Sequence, residues 1–169
     1  MNIEIILRKG ILIDNVKISF GERKSTLFEK IGNPSFRDGR RLYFEELNIF
    51  FDFDKFGKLE LIEMSSNTAM KITLNGIDVF KTKASELVSI LECINGPDFI
   101  KEGNGYGYSF PKISVGLWRE LTPKDYLELV AATKADGMYE EMKEDLAADY
   151  IKSEYFQIFN VASADYFGR

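Results

Sequence analysis

The chain has 169 residues, of which 45% are hydrophobic, 29% charged and 14% aromatic, the make-up of a globular domain able to bury a sizeable core rather than of a disordered chain. A formal charge of -5 argues against a nucleic-acid surface, and the complete absence of histidine excludes the commonest general base, the Ser-His-Asp triad and most zinc sites. Cys93 is the single cysteine, so no intramolecular disulfide forms and the residue is expected to act as a small buried hydrophobe.

At the N-terminus, "MNIEIILRKGILIDNV" is apolar but interrupted by Glu4, Arg8, Lys9 and Asp14, which is not the pattern of a signal peptide. Nowhere does an apolar run reach the roughly 18 residues of a membrane span. A cytoplasmic location and no membrane partner are expected. Asp14-Asn15 then introduces a short strand, Val16 to Phe20, and "ERKSTLFEKIG" places Leu27, Phe28 and Ile31 at helical spacing. Gly32 followed by Pro34 ends that helix. Arg41 to Phe53 and Lys58 to Met64 read as a hairpin around "DKFG".

The same order then recurs. Asn75-Gly76 opens a strand ending at Phe80, "KASELVSILECI" is a helix, Gly96 and Pro97 stop it, and two aromatic-rich strands follow, Tyr106 to Phe110 and Ser114 to Arg119. Phe20 and Phe80 are 60 residues apart, Pro34 and Pro97 63 apart, so the chain reads as one domain, 1–169, with internal repeats at about 11–64 and 72–120. The remainder, 121–169, begins with Thr122 as N-cap and Pro123 in the first turn of a helix to about Ala135. A second helix is expected from Met138 to Ile151, and a last strand at Phe156 to Val161, added to an open sheet edge. The expected class is α+β: a largely antiparallel sheet with helices on one face, built from two similar strand-helix-hairpin units plus a C-terminal helical segment and final strand.

Chemistry-bearing patterns are few. "DFDKFGKLELIE", Asp52 to Glu63, has the acid spacing of a calcium loop, but Phe56 stands where an oxygen ligand is needed and strands flank it, so no metal is expected. Asp52, Asp54, Glu60 and Glu63 form the one conceivable carboxylate set, read as a solvated hairpin face. The glycines of "IGNP" and "NGP" close helices rather than open them, which is the wrong place for phosphate, and "GNGYGY" reads as a hairpin or bulge. No cofactor is expected. Trp118 is read as a core residue. Tyr106 and Tyr108, two apart on a strand, read as a tyrosine row for a protein partner, with Asp98 and Glu102 as charges at its rim.

Across Val16 to Glu63, the pattern strand, short helix, "IGNP", aromatic strand and "FDFDKFGKLELIE" resembles the repeat of small bacterial envelope-assembly lipoproteins and of the duplicated β-lactamase inhibitor protein. With "VGLWRE" and the closing "FNVASADYFG", the whole chain looks more like the cytoplasmic immunity proteins that accompany bacterial polymorphic and contact-dependent toxins. That resemblance implies a non-catalytic protein that neutralises a cognate protein toxin by binding it, and the acidic charge permits that toxin to be basic. Two other readings stand beside it: a carboxylate-based hydrolase or sugar-binding protein, and a small structural or ligand-binding domain.

Overall fold

The computed structural model describes residues 1–66, 69–164 and 166. Two sheets and four helices form, an α+β fold, but the strands divide between two sheets instead of sharing one. The smaller sheet contains β1 (Asn2–Ile6), β2 (Gly10–Ile13), β3 (Val16–Ser19), β8 (Lys71–Leu74) and β9 (Ile77–Asp78), in the order β3-β2-β1-β8-β9. Its β1–β8 pair is parallel, and among the described residues every other strand pairing in the two sheets is antiparallel. β1 and β2 lie in the interrupted apolar stretch at the N-terminus, and Asp14 and Asn75, at φ +47° and +51°, make the tight turns after β2 and β8.

The larger sheet runs β10-β11-β12-β13-β7-β6-β5-β4. Its members are β4 (Phe36–Asp38), β5 (Arg41–Phe44), β6 (Ile49–Phe53), β7 (Leu59–Ser65), β10 (Ile100–Glu102), β11 (Gly107–Phe110), β12 (Val115–Trp118) and β13 (Ile158–Ala162). The expected long strand from Arg41 to Phe53 is therefore two strands. A single 3-10 turn over 45–47, closed by Asn48 in the left-handed region at φ +49°, folds β6 back on β5. The hairpin at "DKFG" forms as expected: Asp54 accepts the backbone N–H of Phe56 at 2.8 Å and of Lys58 at 2.9 Å, and Gly57 supplies φ +74°.

Both halves of the chain follow one element order. A hairpin (β2–β3, then β8–β9) leads into a helix, α1 (Lys24–Ile31) or α2 (Ala84–Asn95). Each helix closes on a glycine of nearly the same conformation, Gly32 at φ 82° and ψ -159° and Gly96 at φ 83° and ψ 178°. Pro34 or Pro97 follows, then strand, 3-10 turn, strand and a third strand: β5, 45–47, β6, β7 in one half and β10, 103–105, β11, β12 in the other. The first half has β4 in addition.

β13 departs from expectation. It does not extend an edge but lies in the middle of the larger sheet, antiparallel to both β12 and β7. Alternation explains the position: Phe159 and Val161 fill the gap in a core-facing row that both halves need. Across the sheet that face reads Leu42, Phe51, Ile62, Val161, Val115, Phe110, and beside it Phe44, Ile49, Met64, Phe159, Leu117, Tyr108. Ile18, Ile11, Ile5 and Leu74 of the smaller sheet join the same cluster, as do Leu27 of α1 and Leu87 and Leu91 of α2.

The C-terminal helices are α3 (Pro123–Ala135) and α4 (Lys143–Glu154), packed on each other. Thr122 caps α3 as expected, in a reciprocal box with Asp125. α4 begins five residues later than the apolar spacing suggests, because turns occupy the segment after Gly137, whose φ of +71° reverses the chain. Cys93 is exposed on α2 instead of buried; the helix turns Leu87, Leu91 and Asn95 inward and leaves Cys93 outside. Among the described residues no helix is long and apolar enough to cross a membrane.

Candidate site on the open face of the larger sheet

Strand alternation that sends one set of side chains to the core sends the other to the opposite face, and here that second set is unusually apolar. Cross-strand pairing aligns Phe36, Tyr43, Phe50, Glu63, Asn160, Gly116, Ser109 and Ile100 in one row across all eight strands. A second row reads Ser65, Ile158, Trp118, Gly107, Glu102, and a third Asp38, Arg41, Asp52, Leu61, Ala162. None of these residues belongs to the main core cluster, although Leu61 and Ala162 are themselves buried. Phe36 is 60% exposed, Ile100 54% and Trp118 40%.

One wing of the face is rigidly organised. The Arg41 guanidinium lies 4.1 Å from the Phe50 ring centroid, pairs with Glu63 at 2.5 Å and reaches Asp52 at 3.6 Å. Tyr43 stacks on Phe50 with centroids 4.4 Å apart, and its hydroxyl donates to Asn48 Oδ1 at 3.1 Å. Burial raises the Asp52 carboxyl above its ordinary value; Arg41 opposes the shift, and Glu63 and Glu60 add to it. Three of the four acids considered as a set are thus spent in different ways: Asp52 and Glu63 share Arg41, and Asp54 holds the hairpin turn. Among the described residues no group of His, Cys, Asp and Glu is placed to hold a metal ion.

The other wing carries a groove of about 350 Å³ between Glu63, Glu102, Trp118, Ile158 and Asn160, floored by Gly107 and Gly116. Its polar groups include three side-chain acceptors, Glu63, Glu102 and the Asn160 carbonyl. Glu102 accepts from the Ser109 hydroxyl at 3.0 Å, Glu63 is on the Arg41 side, and the Asn160 Oδ1 is buried with no hydrogen-bond partner. An unsatisfied carbonyl beside two carboxylates and an indole suits a cationic or N–H-rich side chain of a partner.

The tyrosine row expected at 106 and 108 does not form. The 3-10 turn at Gly103–Gly105 leaves Tyr106 in helical conformation, φ -67° and ψ -43°, which breaks the period of two. Its hydroxyl bonds to Asp125, which raises the Tyr106 pKa and helps hold Asp125 below the usual carboxylate range. Tyr108 does lie in β11 but points to the core side, edge-on to Phe156 with centroids 5.8 Å apart. Asp98 is exposed and paired to Lys112 at 2.7 Å. Of the four, only Glu102 reaches the open face. Trp118, expected in the core, is instead on that face: Val115 and Leu117 turn inward, so Gly116 and Trp118 turn out. The signal for the missed residues was in "LYFEELNIFF", where aromatic side chains occupy both faces of each strand, so one set has no core to enter.

Comparison of the chain with family models, with curated proteins and with solved structures gave no match.

Proposed function

We propose that this chain is a non-catalytic binding protein of the immunity type, which neutralises a bacterial protein toxin by covering it with the open face of the larger sheet. The observation that carries this reading is the row of eight residues from Phe36 to Ile100 with Trp118 beside it, apolar and aromatic at both ends and polar in the middle. Such a composition, aromatic anchors around a few fixed polar groups, is that of a specific protein interface of about 1,200–2,000 Å². The likeness of "VGLWRE" and "FNVASADYFG" to immunity proteins supports the toxin as the partner class, and the net charge of -5 suits a basic one. On this reading the protein works stoichiometrically, in the cytoplasm where its toxin would act, without turnover or cofactor.

The test is co-expression of the toxin encoded beside this gene with wild-type protein and with Trp118→Ala and Phe36→Ala. Wild-type protein should protect and co-purify one to one. Each truncation of an anchor should weaken binding by about 2 kcal/mol or more, while Val16→Ala, a substitution of an exposed residue on the smaller sheet, should leave protection unchanged. Full protection by the Trp118/Phe36 double variant would remove this face from the proposal, and no toxin bound by the wild type would remove the immunity reading.

A further inference from the structure

Arg119 poses a problem that the open face does not answer. It follows β12 and is only 8% exposed, yet among the described residues no carboxylate lies within 4.0 Å of it. Its Nε donates to the Gly105 carbonyl and its Nη1 to the Ser153 carbonyl, each at 2.8 Å, and the guanidinium stands 5.5 Å from the Phe156 ring centroid. Two neutral carbonyls leave N–H groups unused, and the carboxylates that favour the charge, Glu154 and Asp125, are not in contact with it, a costly arrangement for a buried cation. Burial indeed presses the Arg119 pKa downward.

What adjoins the guanidinium is a cavity of about 290 Å³, bounded by Arg119, Tyr108, Ser85, Ser153, Ala84 and Val88. Beside the arginine, a Cβ added to Gly105 would stand 3.4 Å from both Arg119 Nη2 and the Tyr108 hydroxyl and 3.3 Å from Lys101 Cε, so these two donors border the same point with the Lys101 side chain next to them. Ala84 and Ser85 are also the first residues of α2, whose N-cap, Lys83, makes no side-chain cap bond. The cavity thus borders the first turn of α2. Glu154 and Pro123 complete the wall, and Glu154 is tied to Lys83 at 2.6 Å.

We infer that this cavity is a binding site for a small organic monocarboxylate, its carboxylate on Arg119 and the Tyr108 hydroxyl and its short apolar tail against Ala84 and Val88. The apolar lining asks for a tail, and the Glu154 carboxylate on the wall disfavours a second negative charge. A planar carboxylate matches the guanidinium fork. The site lies on the core side of β11, away from the groove at Trp118, so it does not depend on the toxin reading.

The experiment is calorimetric titration and thermal melting of the full chain with butyrate, acetate and inorganic phosphate, at ionic strength matched with sodium chloride. Butyrate should bind saturably and raise Tm, acetate should bind more weakly, and phosphate should do no more than chloride. Arg119→Met should weaken butyrate by about tenfold or more, the loss of a charge-assisted hydrogen bond. Because Arg119 also holds two carbonyls, that variant could unfold, so Ser85→Asp provides the second arm. Ser85 is exposed at the cavity mouth, and a carboxylate there should occupy the arginine's field and abolish butyrate binding while the fold persists. Absence of saturable butyrate binding, phosphate binding as tight as butyrate, or unchanged butyrate affinity in Ser85→Asp would each overturn the inference.

Discussion

The body of two sheets with α1 and α2 and the α3–α4 hairpin are built on different principles. The body buries one continuous cluster, from Ile3 to Val161, and its charges balance. The segment 123–154 contains nine acidic and four basic side chains, an excess equal to the -5 of the whole chain, so every other residue together is neutral. Within its two helices the buried side chains are Thr133, Leu146 and Ser153, and Leu146 lies outside the main cluster. Leu127, Met138, Tyr150 and Ile151 are exposed. The body is held by apolar burial; the hairpin is held by its caps, the Tyr126–Tyr150 contact and pairs such as Lys83–Glu154 and Lys152–Glu120. It carries the chain's net charge, and its contacts with the body are few and polar.

The sharpest break of that comparison is Phe159→Ala. Phe159 is fully buried at the seam where β13 joins the two halves, and its loss should cost about 3–5 kcal/mol of global stability, read as a lower urea midpoint at every probe. Leu146→Ala should cost about 2 kcal/mol, the low end for such truncations, and be seen as faster amide exchange in α3 and α4 with β6 and β7 unaffected. Equal global losses for the two variants would mean that the hairpin is part of the core after all.

How much of this was legible in the sequence depends on whether the signal was local. The glycine-proline stops at Gly32 and Gly96, the Thr122 cap and the Asp54 turn are decided by residues a few positions apart, and they were read correctly. What failed was set by distant pairing. The 3-10 turn at 45–47 interrupts a stretch that reads as one strand, and the one at 103–105 rotates Tyr106 out of register with Tyr108. The place of β13 depends on β7, roughly a hundred residues earlier, and no local pattern distinguishes an edge strand from a central one that is this short. The open face was hidden for the same reason: Trp118 reads as core until its partners, Gly107 and Ile158, are known.

A smaller effect tests the hairpin's attachment. Thr122→Ala removes the hydroxyl that accepts from the Asp125 N–H and that bonds the Asp125 carboxylate, at a cost of about 1 kcal/mol. Exchange should quicken in the first turn of α3 and stay unchanged in the larger sheet. Protection lost throughout the sheet would show that the cap supports more than its helix.

The smallest expected effect separates the two regions by sign. Asp125 titrates below its ordinary 3.8 because the Thr122 hydroxyl, then the Tyr106 hydroxyl, then the Thr122 amide bond its ionised form. Its contribution is therefore present above pH 3.8 and lost as pH falls through the lower folded value. Asp52 is shifted the other way, chiefly by burial. It binds its proton more tightly folded than unfolded, so its contribution is full below 3.8 and fades as pH rises through the higher folded value. Acidification should thus loosen the start of α3 while relieving the Arg41–Asp52–Glu63 wing, and carboxyl chemical shifts followed from pH 6 to 2 should show Asp52 titrating before Asp125. Tyr106→Phe removes one of the bonds to Asp125 and should move its midpoint up toward 3.8 without moving that of Asp52. Were the order reversed, or were both midpoints to move together, the hairpin and the sheet would not be the electrostatically separate regions that their charge balance describes.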